Sequence, residues 1–131
     1  MGQVLVAILN HKPLPEQVSE LKAMGYNTII HIPHPQIPPN YNMEEVLEFL
    51  HKFTEIIAEE LAKLSEFWLV PDAIWCQGDF RLFYALTQYC IAIKIPLYIA
   101  TTERKAEEQV MSDGSVKKVS VFRHVKFVRV V

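Results

Sequence analysis

The sequence is short of several things, and each shortage excludes a class of protein. It has two cysteines, Cys76 and Cys90, in 131 residues. That is too few for a disulfide framework, and a reducing, cytoplasmic compartment is the simplest expectation. No apolar run approaches the roughly 20 residues of a membrane-spanning helix. The opening Met1-Gly2-Gln3-Val4 lacks the basic flank and cleavage site of a secretory signal. Positive charge is not in excess either. The formal net charge of -2 argues against holding a long nucleic acid on a cationic surface. Familiar signatures are missing too. No Gly-x-Gly-x-x-Gly follows the first apolar run, so no dinucleotide cofactor is expected. No Walker A loop, Cys-x-x-Cys, His-Glu-x-x-His or serine elbow occurs. His31, His34 and His51 with the two cysteines do not make a metal-ligand pattern. The cysteines lie in apolar contexts and read as small core residues.

What is present is a core. Hydrophobic residues make up 50% of the chain and charged ones 21%, enough for residues 1–131 to form one compact domain. Val4 to Leu9 is a continuous apolar run, the pattern of a strand buried on both faces of a parallel sheet. Pro15 and Glu16 suit a helix start, and Gly25 suits its end. Asn27–Ile32 reads as a second strand. The proline-rich His31–Asn40 is a stiff loop. Asn42, with Glu45 three residues on, opens a helix to about Glu66. Its apolar face is Val46, Phe49, Leu50, Phe53, Ile56, Ile57, Leu61 and Leu64. Glu48/Lys52 and Glu59/Lys63 are candidate ion pairs on the other face. After a connector from Phe67 to Pro71, Asp72–Cys76 is a third strand. Phe80–Lys94 is a helix apolar nearly all round, and Pro96–Ala100 a fourth strand. Asp113-Gly114 between Glu107–Ser112 and Val116–Phe122 signals a two-residue hairpin. The order predicts an α/β fold: a small Rossmann-like domain, its parallel sheet flanked by helices, with a C-terminal antiparallel β-hairpin.

Charge is unevenly spread. Residues 44–66 carry seven Glu against two Lys, whereas residues 81–131 carry nine basic residues against four acidic ones. A positive half on a weakly acidic protein suits a small anionic ligand; the same lysines and arginines also serve to blunt edge strands. In open α/β sheets ligands bind beyond the carboxyl ends of the strands. Three polar clusters follow strands directly: Asn10-His11-Lys12, Gln77-Gly78-Asp79 and Thr101-Thr102-Glu103-Arg104. Gly78 admits close backbone approach. Asp79 caps the helix that begins at Phe80 or contacts a ligand, and both readings stay open.

At these clusters the chain resembles the small standalone CRISPR-associated proteins of type III systems, of the CARF-like (CRISPR-associated Rossmann fold) ring nuclease family. The residues that carry the resemblance are Leu9–Gln17, Cys76–Phe80 with Tyr84, Tyr98–Arg104, Asp113-Gly114 and Phe122–Phe127. The family usually has Thr where this chain has Pro15, which leaves the first helix less well capped. The resemblance implies a metal-independent enzyme without cofactor that cleaves a cyclic oligoadenylate messenger, cyclic tetra-adenylate foremost, by attack of a ribose 2′-hydroxyl. It further implies a homodimer with the ring across its two-fold axis, and the apolar helix 80–94 fits such a contact. In this reading His11, Asp79 and Arg104 are catalytic, and Asn10, Lys12, Gln77, Gly78, Phe80, Thr101 and Thr102 bind the ligand. His11 is the general acid or base, because imidazole changes charge nearest neutrality. His124 reads as structural or as part of a lid. The alternatives are a non-catalytic sponge or sensor for the same messenger, and a protein-interaction module with no ligand.

Overall fold

A computed structural model describes residues 3–65 and 70–131. The expected helix end at Glu66 and residues 67–69 of the expected connector lie outside the described residues. Five strands form one sheet flanked by helices. In chain order the elements are β1 (Gln3–Leu9), α1 (Pro15–Ala23), β2 (Tyr26–Pro33), α2 (Met43–Ala62), β3 (Ala73–Cys76), α3 (Phe80–Ile93), β4 (Leu97–Val110) and β5 (Val116–Arg129). The strand order is β2-β1-β3-β4-β5. The first four strands run parallel, and β5 returns antiparallel to β4. No described helix is long and apolar enough to cross a membrane.

Alternation along β1 sets up two cores. Val4, Val6 and Ile8 face one side, with Ile74 and Cys76, against Val46, Leu50, Phe53, Ile57 and Leu61 of α2 and Leu82, Leu86 and Cys90 of α3. Leu5, Ala7 and Leu9 face the other, with Trp75, Tyr98 and Phe127, against Leu21 of α1. A strand needs apolar residues at every position when both of its faces are covered. Both cysteines are buried, as their context suggested.

The helix ends follow local chemistry. Pro15 opens α1, and Gln17 accepts the Leu14 N–H at 2.9 Å. A buried glutamine thus does the capping that Pro15 leaves undone. Asn42 and Glu45 make the expected reciprocal cap, at 3.0 and 3.2 Å. Two expectations about α2 change. Ile56 and Leu64 are exposed, and Lys63 pairs with Glu60, one residue closer than Glu59.

The largest correction concerns the C-terminal third. The fourth strand does not stop at Ala100. It runs on to Val110, so Thr101–Arg104 lies within a strand. The return is wider than two residues. Met111 N–H reaches Ser115 C=O at 2.7 Å, Asp113 accepts the Ser115 N–H, and Gly114 takes a φ of +84°. Because β3 ends at Cys76, residues 102–110 and their partners on β5 leave the sheet as a two-stranded ribbon, about 30 Å long at ~3.3 Å per residue.

A bulge marks the ribbon's base. Thr101 pairs with Lys126 but Thr102 pairs with His124, leaving Val125 over. Glu20 of α1 braces this point: one carboxylate oxygen meets His124 Nε2 at 2.8 Å, and the other accepts the Phe127 N–H at 2.7 Å. His124 is thus structural. Replacing Glu20 by Ala strands two buried donors, and the cost is expected at about 2–3 kcal/mol. Urea denaturation at neutral pH measures it. Glu20→Gln, which keeps one acceptor, is expected to lose less than half of that.

Candidate functional site

The carboxyl ends of β1, β2 and β3 converge on one edge. The chain leaves β1 toward β2, and leaves β3 in the opposite direction toward β4. Between such diverging strands the backbone opens a crevice. A cavity of about 350 Å³ lies there, lined by Asn10, His34, Pro35, Gln36, Ile37, Gly78 and Asp79. A second, of about 280 Å³, shares Gly78 and is lined also by Gln77, Phe80, Phe83 and Ile99. A larger open cleft of about 510 Å³ runs between α1 and β2, with Lys12, Lys22 and His31 on its walls.

Asp79 is the fixed point of the crevice. It caps α3 by accepting the Arg81 N–H at 2.9 Å. It also takes the Arg81 guanidinium on both oxygens, at 3.0 and 2.6 Å. These bonds hold its carboxyl down at about 2, because each favours the charged form. The rest of the guanidinium donates to the carbonyls of Pro38 and Tyr41, at 3.0 and 2.9 Å. Arg81 thereby ties the proline-rich loop to the start of α3.

The loop delivers His34. Its Nδ1 donates to the Pro35 carbonyl at 2.8 Å, so Nε2 is the acceptor and takes the Asp79 N–H at 3.3 Å. The ring covers Gly78, where an added methyl would land on it. Gly78 also has a φ of +145°, a conformation that L side chains rarely adopt. The close approach expected over Gly78 is therefore occupied by the protein's own histidine.

The expected site residues divide. Asn10, Gly78 and Asp79 meet in the first cavity, and Gln77, Gly78 and Phe80 in the second. Gln77 is largely a strut, since its Oε1 accepts from Trp75 Nε1 at 2.7 Å and from the Ala100 N–H at 3.2 Å. Lys12 lines the α1–β2 cleft. His11 is exposed, and its Nδ1 donates to the Lys12 carbonyl at 2.8 Å, leaving Nε2 as an outward acceptor. Thr101 donates to the Lys126 carbonyl at 2.9 Å. Thr102 and Arg104 sit on the ribbon, with Arg104 over the Phe122 ring at 5.7 Å. The third cluster thus does not line the crevice. Burial pushes the Cys76 thiol up to about 12, so it stays protonated and is no nucleophile. Among the described residues no three His, Cys, Asp or Glu side chains gather as a metal-ligand group.

His34, Gln36 and Arg81 were not picked out from sequence. The available signal was positional: the proline-rich loop follows a strand that neighbours β1, so it had to reach the same edge.

Two outcomes follow. Asp79→Asn keeps a capping oxygen but loses the charge, and is expected to cost about 1–2 kcal/mol at neutral pH. The folded carboxyl titrates below its unfolded value of ~3.9. Its contribution is therefore full above that value and fades as pH falls through about 2. Denaturant titrations of both proteins between pH 7 and pH 2 should converge at the acid end. Gly78→Ala is expected to cost about 2–3 kcal/mol, from backbone strain plus the clash with His34. In a His34→Ala background the cost should fall by about half, as a double-mutant cycle reads directly.

A family model matches residues 3–128, that of the uncharacterized protein MJ1673 family. No curated protein and no solved structure matches the chain.

Proposed function

The chain belongs to the uncharacterized protein MJ1673 family, and we propose that this member binds and cleaves a cyclic oligoadenylate at the β1/β3 crevice. On this reading the domain is a small Rossmann-like relative of CARF domains, and its activity ends type III CRISPR signalling. The observation that carries the reading is the crevice itself. Asn10 after β1, and Gly78 and Asp79 after β3, line one cavity at the divergence of the sheet, where open α/β sheets hold ligands. Two cationic groups lie on neighbouring elements, Lys12 in the α1–β2 cleft after β1 and Arg104 on the ribbon beyond β4.

The reaction needs no external nucleophile. A ribose 2′-hydroxyl attacks the adjacent phosphorus, the bond to the 5′-oxygen breaks, and a 2′,3′-cyclic phosphate remains. The hydroxyl proton passes to a base, and the departing 5′-oxygen takes a proton from water. His11 Nε2, free and outward, is the base. Lys12 and Arg104 offset charge on the phosphoryl oxygens. Asp79 is not the base, because Arg81 holds both its oxygens; it orients the start of α3. Most of the rate comes from holding the hydroxyl in line.

A second reading, a messenger-sequestering sponge, is favoured by one observation. Two polar groups that line the crevice, His34 Nε2 and the Asp79 carboxylate, are already engaged within the protein. Incubation with cyclic tetra-adenylate in chelator separates the two. The nuclease reading expects linear products ending in cyclic phosphate, and a loss of about 10²–10⁴-fold in rate on His11→Ala. An intact ring at stoichiometric protein, with tight binding, leaves the sponge.

A further inference from the structure

The sheet has two edges, and they are built differently. At one end β5 carries Lys117, Lys118, Arg123, Lys126 and Arg129 and a bulge, devices that keep a foreign strand from pairing. At the other end β2 contains no Asp, Glu, Lys or Arg, and its one proline is its last residue. Its irregularity falls at Asn27, near the amino end; from Thr28 to Pro33 it pairs with β1 in unbroken register.

Which backbone groups face outward follows from one bond. The His34 N–H donates to the Leu9 carbonyl at 2.9 Å, so it points toward β1. Along a strand the backbone groups alternate between the two sides. Ile32 and Ile30 therefore face β1, and Pro33, His31 and Ile29 face away. Pro33 agrees with this: its missing N–H falls on the unpaired side, where it costs no ladder bond. Ile29 and His31 each turn an N–H and a C=O outward.

Beside this strand lies the open cleft of about 510 Å³ between α1 and β2. Its walls carry Lys12, Lys22 and His31 and no acidic side chain. Among the described residues neither lysine makes an ion pair. His31 Nε2 donates to the Leu9 carbonyl at 3.1 Å, which fixes the ring in the wall. Val18 and Ile29 supply apolar contact. The cleft shares no lining residue with the two cavities of the crevice.

We infer that the outer edge of β2 takes an extended acidic peptide segment of a partner protein as a sixth strand. A peptide backbone answers a donor and an acceptor together at the strand repeat. Charge selects its side chains. Alternate residues of an added strand point to opposite faces. Those on the side of α1 meet Lys22 and Lys12 and suit Glu or Asp. Those on the other side continue the face of Ile30 and Ile32, which packs against α2, and suit Val or Ile. A second copy of β2 is a poor occupant, because edge-to-edge pairing gathers Lys12 and Lys22 of both copies at one seam. The inference is independent of what the crevice binds, and Lys22 has no part in the proposed cleavage.

The test uses the full chain and two labelled peptides, Glu-Val-Glu-Val-Glu-Val and its charge-reversed counterpart Lys-Val-Lys-Val-Lys-Val. Fluorescence anisotropy is expected to show saturable binding of the acidic peptide alone. Lys22→Glu should weaken it by at least about tenfold and gain affinity for the basic one. Amide exchange read by NMR reports the pairing itself. With acidic peptide bound, the Ile29 and His31 amides should exchange at least tenfold more slowly, whereas those of Ile30 and Ile32, already turned to β1, should not change. Equal binding of both peptides or of neither overturns the proposal, as does binding that leaves the Ile29 and His31 amides unchanged. Protection of those two amides in the free chain overturns it too, since the edge is then already paired. Displacement of the peptide by equimolar cyclic tetra-adenylate would make the cleft a nucleotide site instead.

Discussion

Arg81 ties two separate pieces of chain together, and the crevice depends on it. Its guanidinium holds the Asp79 carboxylate, and its remaining donors hold carbonyls of the loop after β2. Asp79 in turn caps α3, and its own N–H is taken by His34 from that loop. A bidentate arginine–carboxylate pair is worth most when its geometry is fixed. Here it is fixed by proline on one side and a helix start on the other. The result is a rigid edge in which a glycine, a histidine and an aspartate stay in register.

The same edge shows how a bland role and a chemical one share residues. Asp79 caps a helix, and that much needs no ligand. Gln77 braces β3 against β4 and Trp75, a structural task. What remains exposed after such accounting is Asn10, His11, Lys12 and the faces of His34 and Gln36. These are the groups free to meet a ligand, and they lie on loops carried by the strands of the sheet, where rigid support and chemical freedom combine. The ribbon continues β4 and β5 beyond the sheet, braced at its base by Glu20.

Much of this was legible in the sequence, for physical reasons. The run Val4–Leu9 could only be a doubly covered strand. Asn42 with Glu45 and Asp79 before Phe80 marked helix starts that the folded chain uses. The alternation of strands and helices gave the α/β sheet with helices on both faces. The misses have equally local causes. Thr101–Arg104 reads as a polar cluster after the strand because its polarity rises abruptly. A two-stranded ribbon with both faces in water carries that same polarity. Period and composition do not separate the two. Nothing in the sequence marks Arg81: a charged residue in an apolar helix looks like surface, and the backbone carbonyls it binds, some 40 positions away, leave no trace there. His34 belongs to no metal-ligand pattern in the sequence, and its ring sits over Gly78, where a ligand is expected to approach.

The central claim is that the β1/β3 crevice is where an anionic nucleotide ring is recognised. An amide NMR titration of the full-length protein with cyclic tetra-adenylate, in chelator and with His11→Ala to prevent turnover, tests it most directly. The amides of Asn10, Gly78 and Asp79 should shift together and saturate with a single affinity. Perturbations confined to the cleft of Lys12, Lys22 and His31, or an unchanged spectrum at millimolar ligand, would contradict it.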